Sequence, residues 1–87
     1  MPHSKEYQAR MLARVSREAE RRYLESEEYS DACPWGSLDD LYQQAWSLKA
    51  CSILGVSPKQ WRSAVNICRT PGQSVKLLLG EMRLLYP

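Results

Sequence analysis

The stretch over residues 50–69, ACSILGVSPKQWRSAVNICR, holds the densest helix stop and start signals in the chain. Gly55 can take a positive φ without steric cost, so it is suited to end one helix. Ser57 is a preferred N-cap, Pro58 fits the first position of a new helix, and Gln60 can complete a capping box. The sequence therefore predicts two helices joined by a tight turn.

The second of these helices, predicted over residues 58–69, divides into two faces at 100° per residue. One face is apolar and suits a core; it consists of Trp61, Ala64, Val65 and Cys68. The other carries side chains that can donate hydrogen bonds to phosphates and to base edges. These candidate DNA-binding residues are Lys59, Gln60, Arg62, Ser63, Asn66 and Arg69.

This pattern resembles the helix-turn-helix of bacterial and phage DNA-binding regulators. The small residue Cys51 lies four positions before Gly55, where the two helices of such a motif approach closely. Apolar residues occupy the positions that the motif buries, namely Ala50, Leu54, Val56, Trp61 and Ala64. The family places its second helix in the DNA major groove, so the resemblance implies that residues 58–69 read DNA. Trp61 departs from the motif, which usually has a smaller aliphatic residue there. A bulky ring would alter the angle between the helices or mark a different hairpin, and the alternative interpretation is an ordinary αα-corner with a solvated polar face.

Start and stop signals elsewhere predict three further features of the chain. Ser4 can cap a first helix over about 5–27, and Pro34 interrupts the chain in a loop that follows it. Ser37 can cap a second helix that ends at Leu54. Apolar residues surround more than half of this second helix, which predicts that it is central in the fold.

A fourth helix is predicted after Arg69, because Thr70, Pro71 and Gln73 repeat the start signal of the third helix. Its inner stripe is expected to hold Val75, Leu78, Leu79, Met82 and Leu85. Leu77 and Leu84 lie outside that stripe and suggest a partner helix or a dimer. We therefore expect a small all-α domain of four helices, residues 1–87, that contains a helix-turn-helix-like hairpin.

Four arginines of the first predicted helix, Arg10, Arg14, Arg17 and Arg21, lie within a narrow arc on one side. Such a stripe could bind phosphates or an acidic partner, which makes it a candidate second basic surface. The interpretation we favour is a solvated helix face supported by nearby glutamates, because exposed helix faces are usually charged.

The net charge of +2 is too small to indicate nucleic-acid binding by itself. Its distribution is uneven, with net charges of +3 over residues 1–22, −6 over 23–40 and +5 over 41–87. Such asymmetry suggests separate basic and acidic surfaces. Patchy charge is also common in proteins that bind only other proteins.

The composition offers little for catalysis or for a metal. The single histidine, His3, is near the terminus, and no glycine-rich phosphate loop is present, so we expect no enzyme and no cofactor. The three cysteines lack zinc-ligand spacing and are odd in number, which fits free thiols in a reducing cytoplasm. No apolar run is long enough to span a membrane.

Two functions of different classes remain open after these exclusions. The first is a small transcriptional regulator that binds double-stranded DNA through residues 58–69, acting as a homodimer. The second is a small helical inhibitor or co-regulator, of phage or plasmid type, that binds only a protein partner. DNA binding requires the polar face of residues 58–69 to be exposed, whereas a protein binder would show an exposed apolar patch, for example around Leu77, Leu84 or Trp35.

Overall fold

The computed structural model describes residues 4–87, which form four α-helices around one hydrophobic core. The helices are α1 (Lys5–Glu25), α2 (Asp40–Leu54), α3 (Pro58–Cys68) and α4 (Val75–Leu85). A single 3₁₀ turn, Trp35–Ser37, lies between α1 and α2, and the described residues form no β-strand. The prediction of a small all-α domain with four helices is confirmed.

The helix at the centre of the fold is α1. It packs against each of the other three helices, and these contact one another much less. It has 21 residues, and its buried side combines large side chains such as Leu12 with alanines that allow neighbouring helices to approach closely. Ala13 and Ala19, for example, have no exposed surface.

The prediction that α2 is the central helix is wrong. Its apolar residues are spread around the helix, but only Trp46, Ala50 and Cys51 among them are buried, and Leu48 and Leu54 pack partly against the core. Leu41 and Tyr42 lie on the solvent side, where they are 76% and 52% exposed. The wide distribution of apolar residues around α2 therefore reflects hydrophobic side chains that are exposed to solvent, and not burial of the helix on several sides.

The turn between α2 and α3 has the predicted cap structure. Gly55 ends α2 with φ 73°, and the N–H of Val56 donates to the carbonyl of Cys51 at 2.9 Å. The amide of Gln60 donates to Ser57 Oγ at 3.0 Å, and the amide of Ser57 donates to Gln60 Oε1 at 2.9 Å. These two reciprocal bonds are the capping box, and they fix where α3 begins.

The predicted starts of α2 and α4 are each displaced. Asp39, rather than Ser37, caps α2 by accepting the amide of Tyr42 at 2.9 Å, because the preceding residues form the 3₁₀ turn. Gln73 accepts the amide of Thr70 at 3.1 Å as predicted, but this bond closes a turn rather than a helix. Gly72 in this turn has φ 79°, which lies outside the α-helical range, so α4 begins later in the chain, after its N-cap Ser74.

The remaining boundaries differ from the predictions by one or two residues. Helix α1 ends at Glu25 rather than at residue 27, because Ser26 is extended and its amide donates to Tyr23 O at 3.0 Å. Helix α3 ends at Cys68, and Arg69 is its C-cap, with an extended ψ of 137°. Arg69 therefore follows the helix instead of belonging to it.

An aromatic cluster joins α1 to the segment before α2. The ring of Tyr23 lies 5.7 Å from that of Trp46, 6.0 Å from that of Trp35 and 5.6 Å from that of Tyr29, measured between centroids. Its hydroxyl donates to the carbonyl of Cys33. Burial raises the pKa of this phenol. The contacts attach the loop over 26–39 to the core. Trp35, named above as a possible centre of an exposed apolar patch, is buried instead, with 8% of its surface exposed.

Two glycine substitutions are expected to change stability in opposite directions. Gly55→Ala should lower the free energy of unfolding by about 1 kcal/mol, because alanine rarely adopts a φ of 73°. Gly80→Ala should raise it by up to about 1 kcal/mol, because Gly80 is an exposed helical residue and a Cβ there would meet no described atom within 4 Å. Urea unfolding of both variants measures the difference, and two losses of similar size would contradict the backbone argument.

Candidate nucleic-acid interface

Helix α3 presents one face to the core and the other to solvent. Trp61 is 2% exposed and Ala64 is fully buried, and Val65 and Cys68 complete the inner face. All six candidate DNA-binding residues, Lys59, Gln60, Arg62, Ser63, Asn66 and Arg69, are exposed. The buried and the exposed residues do not overlap, so α3 has the apolar inner face and the polar outer face that the sequence predicted.

The polar side chains of α3 make few interactions within the protein. Gln60 is committed to the capping box through its Oε1 atom. The side chains of the other five candidates have no hydrogen-bond or ion-pair partner among residues 4–87. Residues 58–69 contain three basic residues and no acidic one, and the amino end of the helix dipole adds further positive potential. The face therefore carries uncompensated positive charge with donors that can meet a ligand.

A groove of about 370 Å³ separates the start of α1 from the turn and the first half of α3. One wall is formed by α1 and includes Tyr7, Met11 and Arg14. The opposite wall includes Lys59, Gln60 and Ser63, and the described residues that line the groove contain no carboxylate. Three of the six candidate DNA-binding residues therefore also border this groove, which the helical period of α3 alone does not reveal.

Two members of the arginine stripe on α1 are neutralised by neighbouring glutamates. Arg10 pairs with Glu6 at 2.7 Å, and Arg21 pairs with Glu18 and, at 2.9 Å, with Glu25. The hydrogen bond from Arg21 lowers the pKa of the Glu18 carboxyl, and the same bond raises the pKa of Arg21. Pairs one helical turn apart contribute little stability, but they reduce the positive potential of the stripe.

The end of the chain engages a third arginine of the stripe. Arg17 Nη1 donates to the carbonyl of Tyr86 at 2.6 Å, and the guanidinium of Arg10 lies 4.8 Å from the centroid of the Tyr86 ring. Arg14 is the one member of the stripe whose side chain has no hydrogen-bond, ion-pair or ring partner within the described part of the chain. The four arginines are therefore not equivalent, although the sequence presents them as one repeating stripe.

The most exposed apolar side chains lie on α4 and on α2, and Ile67 on α3 is also 46% exposed. Leu77 and Leu84 are 64% and 84% exposed, as their position outside the inner stripe predicted. Leu85 was expected to be buried but is 65% exposed, because α4 ends there. On α2, Leu41, Tyr42 and Ile53 are exposed. The structure therefore shows the apolar surface expected of a protein binder together with the polar face expected of a DNA binder.

The cysteines are all unpaired. Cys33 is exposed, Cys51 and Cys68 are buried, and burial raises the pKa of Cys51 to about 11. No three histidine, cysteine, aspartate or glutamate side chains of residues 4–87 come together in a way that could hold a metal ion. His3, the single histidine of the sequence, lies outside the described residues. None of the helices in the described range combines the length and apolarity needed to cross a bilayer.

The strongest candidate site is thus the exposed face of α3, bordered on one side by the groove along α1. It contains no constellation of side chains that suggests covalent chemistry, and what it offers a ligand is positive charge and hydrogen-bond donors. Comparison of the chain with known protein families, with curated proteins and with solved structures finds no match.

Proposed function

We propose that the protein is a small DNA-binding transcriptional regulator that contacts double-stranded DNA with the exposed face of α3. The observation that carries this proposal is the contrast between the two basic surfaces. On α3 the basic side chains are exposed and unpartnered among the described residues, whereas on α1 three of four arginines interact within the protein. Binding to DNA phosphates depends on basic side chains that can displace the counterions of the DNA, and the exposed face of α3 supplies such side chains.

The length of α3 supports separate roles for its residues. Lys59 lies near the start of α3 and Arg69 is its C-cap, ten positions later, a separation of about 15 Å along the helix axis. The major groove of B-DNA is about 12 Å wide, so these two side chains can reach phosphates on its two sides. Arg62 and Asn66 lie between them, one helical turn apart, and would meet base edges, where arginine pairs with guanine and asparagine with adenine. Gln60 and Ser63 provide further polar contacts beside them.

The test compares Arg62→Ala with Lys59→Ala in shift assays on a duplex selected for high affinity and on a scrambled duplex. Arg62→Ala should reduce the preference for the selected duplex by about 5- to 150-fold, since one bidentate pair contributes about 1–3 kcal/mol of discrimination. Lys59→Ala should weaken both duplexes about equally and reduce the slope of log K against log salt by about 0.9.

The matched control is Lys76→Gln, which removes the same unit of charge from α4. It should leave both the preference and the salt slope unchanged. Circular dichroism should report the native helix content for all three variants, because none of the altered side chains belongs to the buried face of its helix. If wild type binds DNA but Arg62→Ala keeps the full preference, α3 does not read sequence.

Binding to another protein through α4 is the second candidate function. Leu77 and Leu84 are one heptad apart on the outward side of α4, and such exposed leucines suit a helix of a partner or of a second copy. A dimer would also fit a DNA-binding role, because paired recognition helices enter successive major grooves. The shift assay separates the two functions. If wild type has no affinity for any duplex at low salt, the DNA proposal fails and protein binding takes its place.

A further inference from the structure

Arg14 differs from the other arginines of α1 in its surroundings rather than in its sequence position. Arg10 lies four residues earlier on the same side of the helix and is held by Glu6 at 2.7 Å. Arg14 is exposed and has no partner among residues 4–87. An unpaired guanidinium has lost none of its capacity to bind an anion, whereas Arg10 would first have to leave a carboxylate.

Arg14 and the first half of α3 border the same groove. Arg14 lies on the α1 wall of the 370 Å³ groove, and Lys59, Gln60 and Ser63 lie on the opposite wall. Lys59 and Ser63 also belong to the exposed face of α3, so this face continues into the groove without an intervening element. Two cations therefore border one concave surface, and the described residues that line it include no carboxylate to neutralise them.

We propose that Arg14 and Lys59 together bind the phosphate backbone of one DNA strand beside α3, so that the DNA-contacting surface extends from α3 across the groove onto α1. This inference rests on the DNA-binding function proposed above and adds a contact from a different helix. It also excludes Arg10, Arg17 and Arg21 from that surface. Arg14 suits a phosphate better than a base, because it lies beyond the edge of the helix that would occupy the major groove.

The planar guanidinium of Arg14 can donate two parallel hydrogen bonds to one phosphate, and Lys59 adds a more flexible point charge. Each such contact displaces about one counterion from duplex DNA, so its loss lowers the salt slope by about 0.9. If both residues contact the backbone independently, the loss in a double variant should be about twice the loss in either single variant.

The experiment measures duplex affinity between low and moderate salt for wild type, Arg14→Gln and Arg10→Gln, the last being the matched control one helical turn away. Arg14→Gln should reduce the slope by about 0.9 and weaken selected and scrambled duplexes to the same extent. Arg10→Gln should leave the slope within error of wild type. Arg14→Lys should keep the slope, because it keeps the charge. Circular dichroism checks that each variant is folded.

The results also distinguish failure of this inference from failure of the proposed function. If wild type binds DNA and Arg14→Gln keeps the full slope, Arg14 is not a contact, and the role of α3 is unaffected. If Arg10→Gln lowers the slope as much as Arg14→Gln, the whole stripe acts as a diffuse basic surface and the selective role of Arg14 is overturned. If wild type binds no duplex, both the proposed function and this inference fail.

Discussion

Replacing Trp61 with alanine is expected to lower the free energy of unfolding by about 3–5 kcal/mol, the usual loss for removing a buried aromatic side chain. Trp61 is 2% exposed and is the largest side chain on the inner face of α3. Small domains are stable by only about 5–15 kcal/mol, so this single change could remove most of the stability. Thermal and urea unfolding followed by circular dichroism measure the loss.

Trp61→Phe is the informative companion variant. The indole Nε1 of Trp61 is buried without a hydrogen-bond partner in the described range, and phenylalanine removes that donor while retaining an aromatic ring. Its loss of stability should therefore be clearly smaller than that of Trp61→Ala. If Trp61→Ala unfolds like wild type, the ring does not hold α3 in place, and the division of α3 into buried and exposed faces is wrong.

Replacing Tyr23 with alanine is the second change with a large expected effect, again about 3–5 kcal/mol. Tyr23 is 2% exposed and contacts Tyr29, Trp35 and Trp46 through its ring. Its removal would leave a cavity where α1, α2 and the linking loop meet. The tryptophan fluorescence of the folded protein should change as well, because Trp35 and Trp46 would lose a packing partner.

Tyr23→Phe separates the contribution of ring packing to stability from the contribution of the hydroxyl group. It keeps the ring and removes the hydrogen bond to the carbonyl of Cys33, so it should cost about 1 kcal/mol, typical of one such bond. The two Tyr23 variants should therefore differ by several-fold in their loss of stability. Equal losses would mean that the hydroxyl, and not the aromatic cluster, fixes the loop.

The features of the fold that could be predicted are those encoded over a few neighbouring residues. The capping box of Ser57 and Gln60 requires only local geometry, and it formed as predicted. Two local signals can also conflict within one segment, and the spacing of the capping residues does not show which signal decides where a helix begins. Thr70 and Gln73 paired as expected, yet Gly72 took φ 79° and moved the start of α4 to the next available cap.

The features that could not be predicted depend on contacts between distant segments. The arginine stripe is regular in sequence, but Arg17 meets Tyr86, which is 69 residues away, and no periodicity reveals that contact. In the same way, the groove beside Arg14 exists only because α1 packs against α3. The exposed face of α3 was predictable, since it follows from the helical period alone, whereas its extension towards α1 was not.

The central position of α1 has a consequence for how the domain loses its structure. Helices α2, α3 and α4 each depend on α1, and they contact one another much less. No pair of these three helices retains a substantial core once α1 is removed, so no part of the domain that lacks α1 would remain folded. A destabilising change in α4 must therefore also weaken α2, even though the two helices share few contacts, because both lose the same partner when the chain unfolds as one cooperative unit.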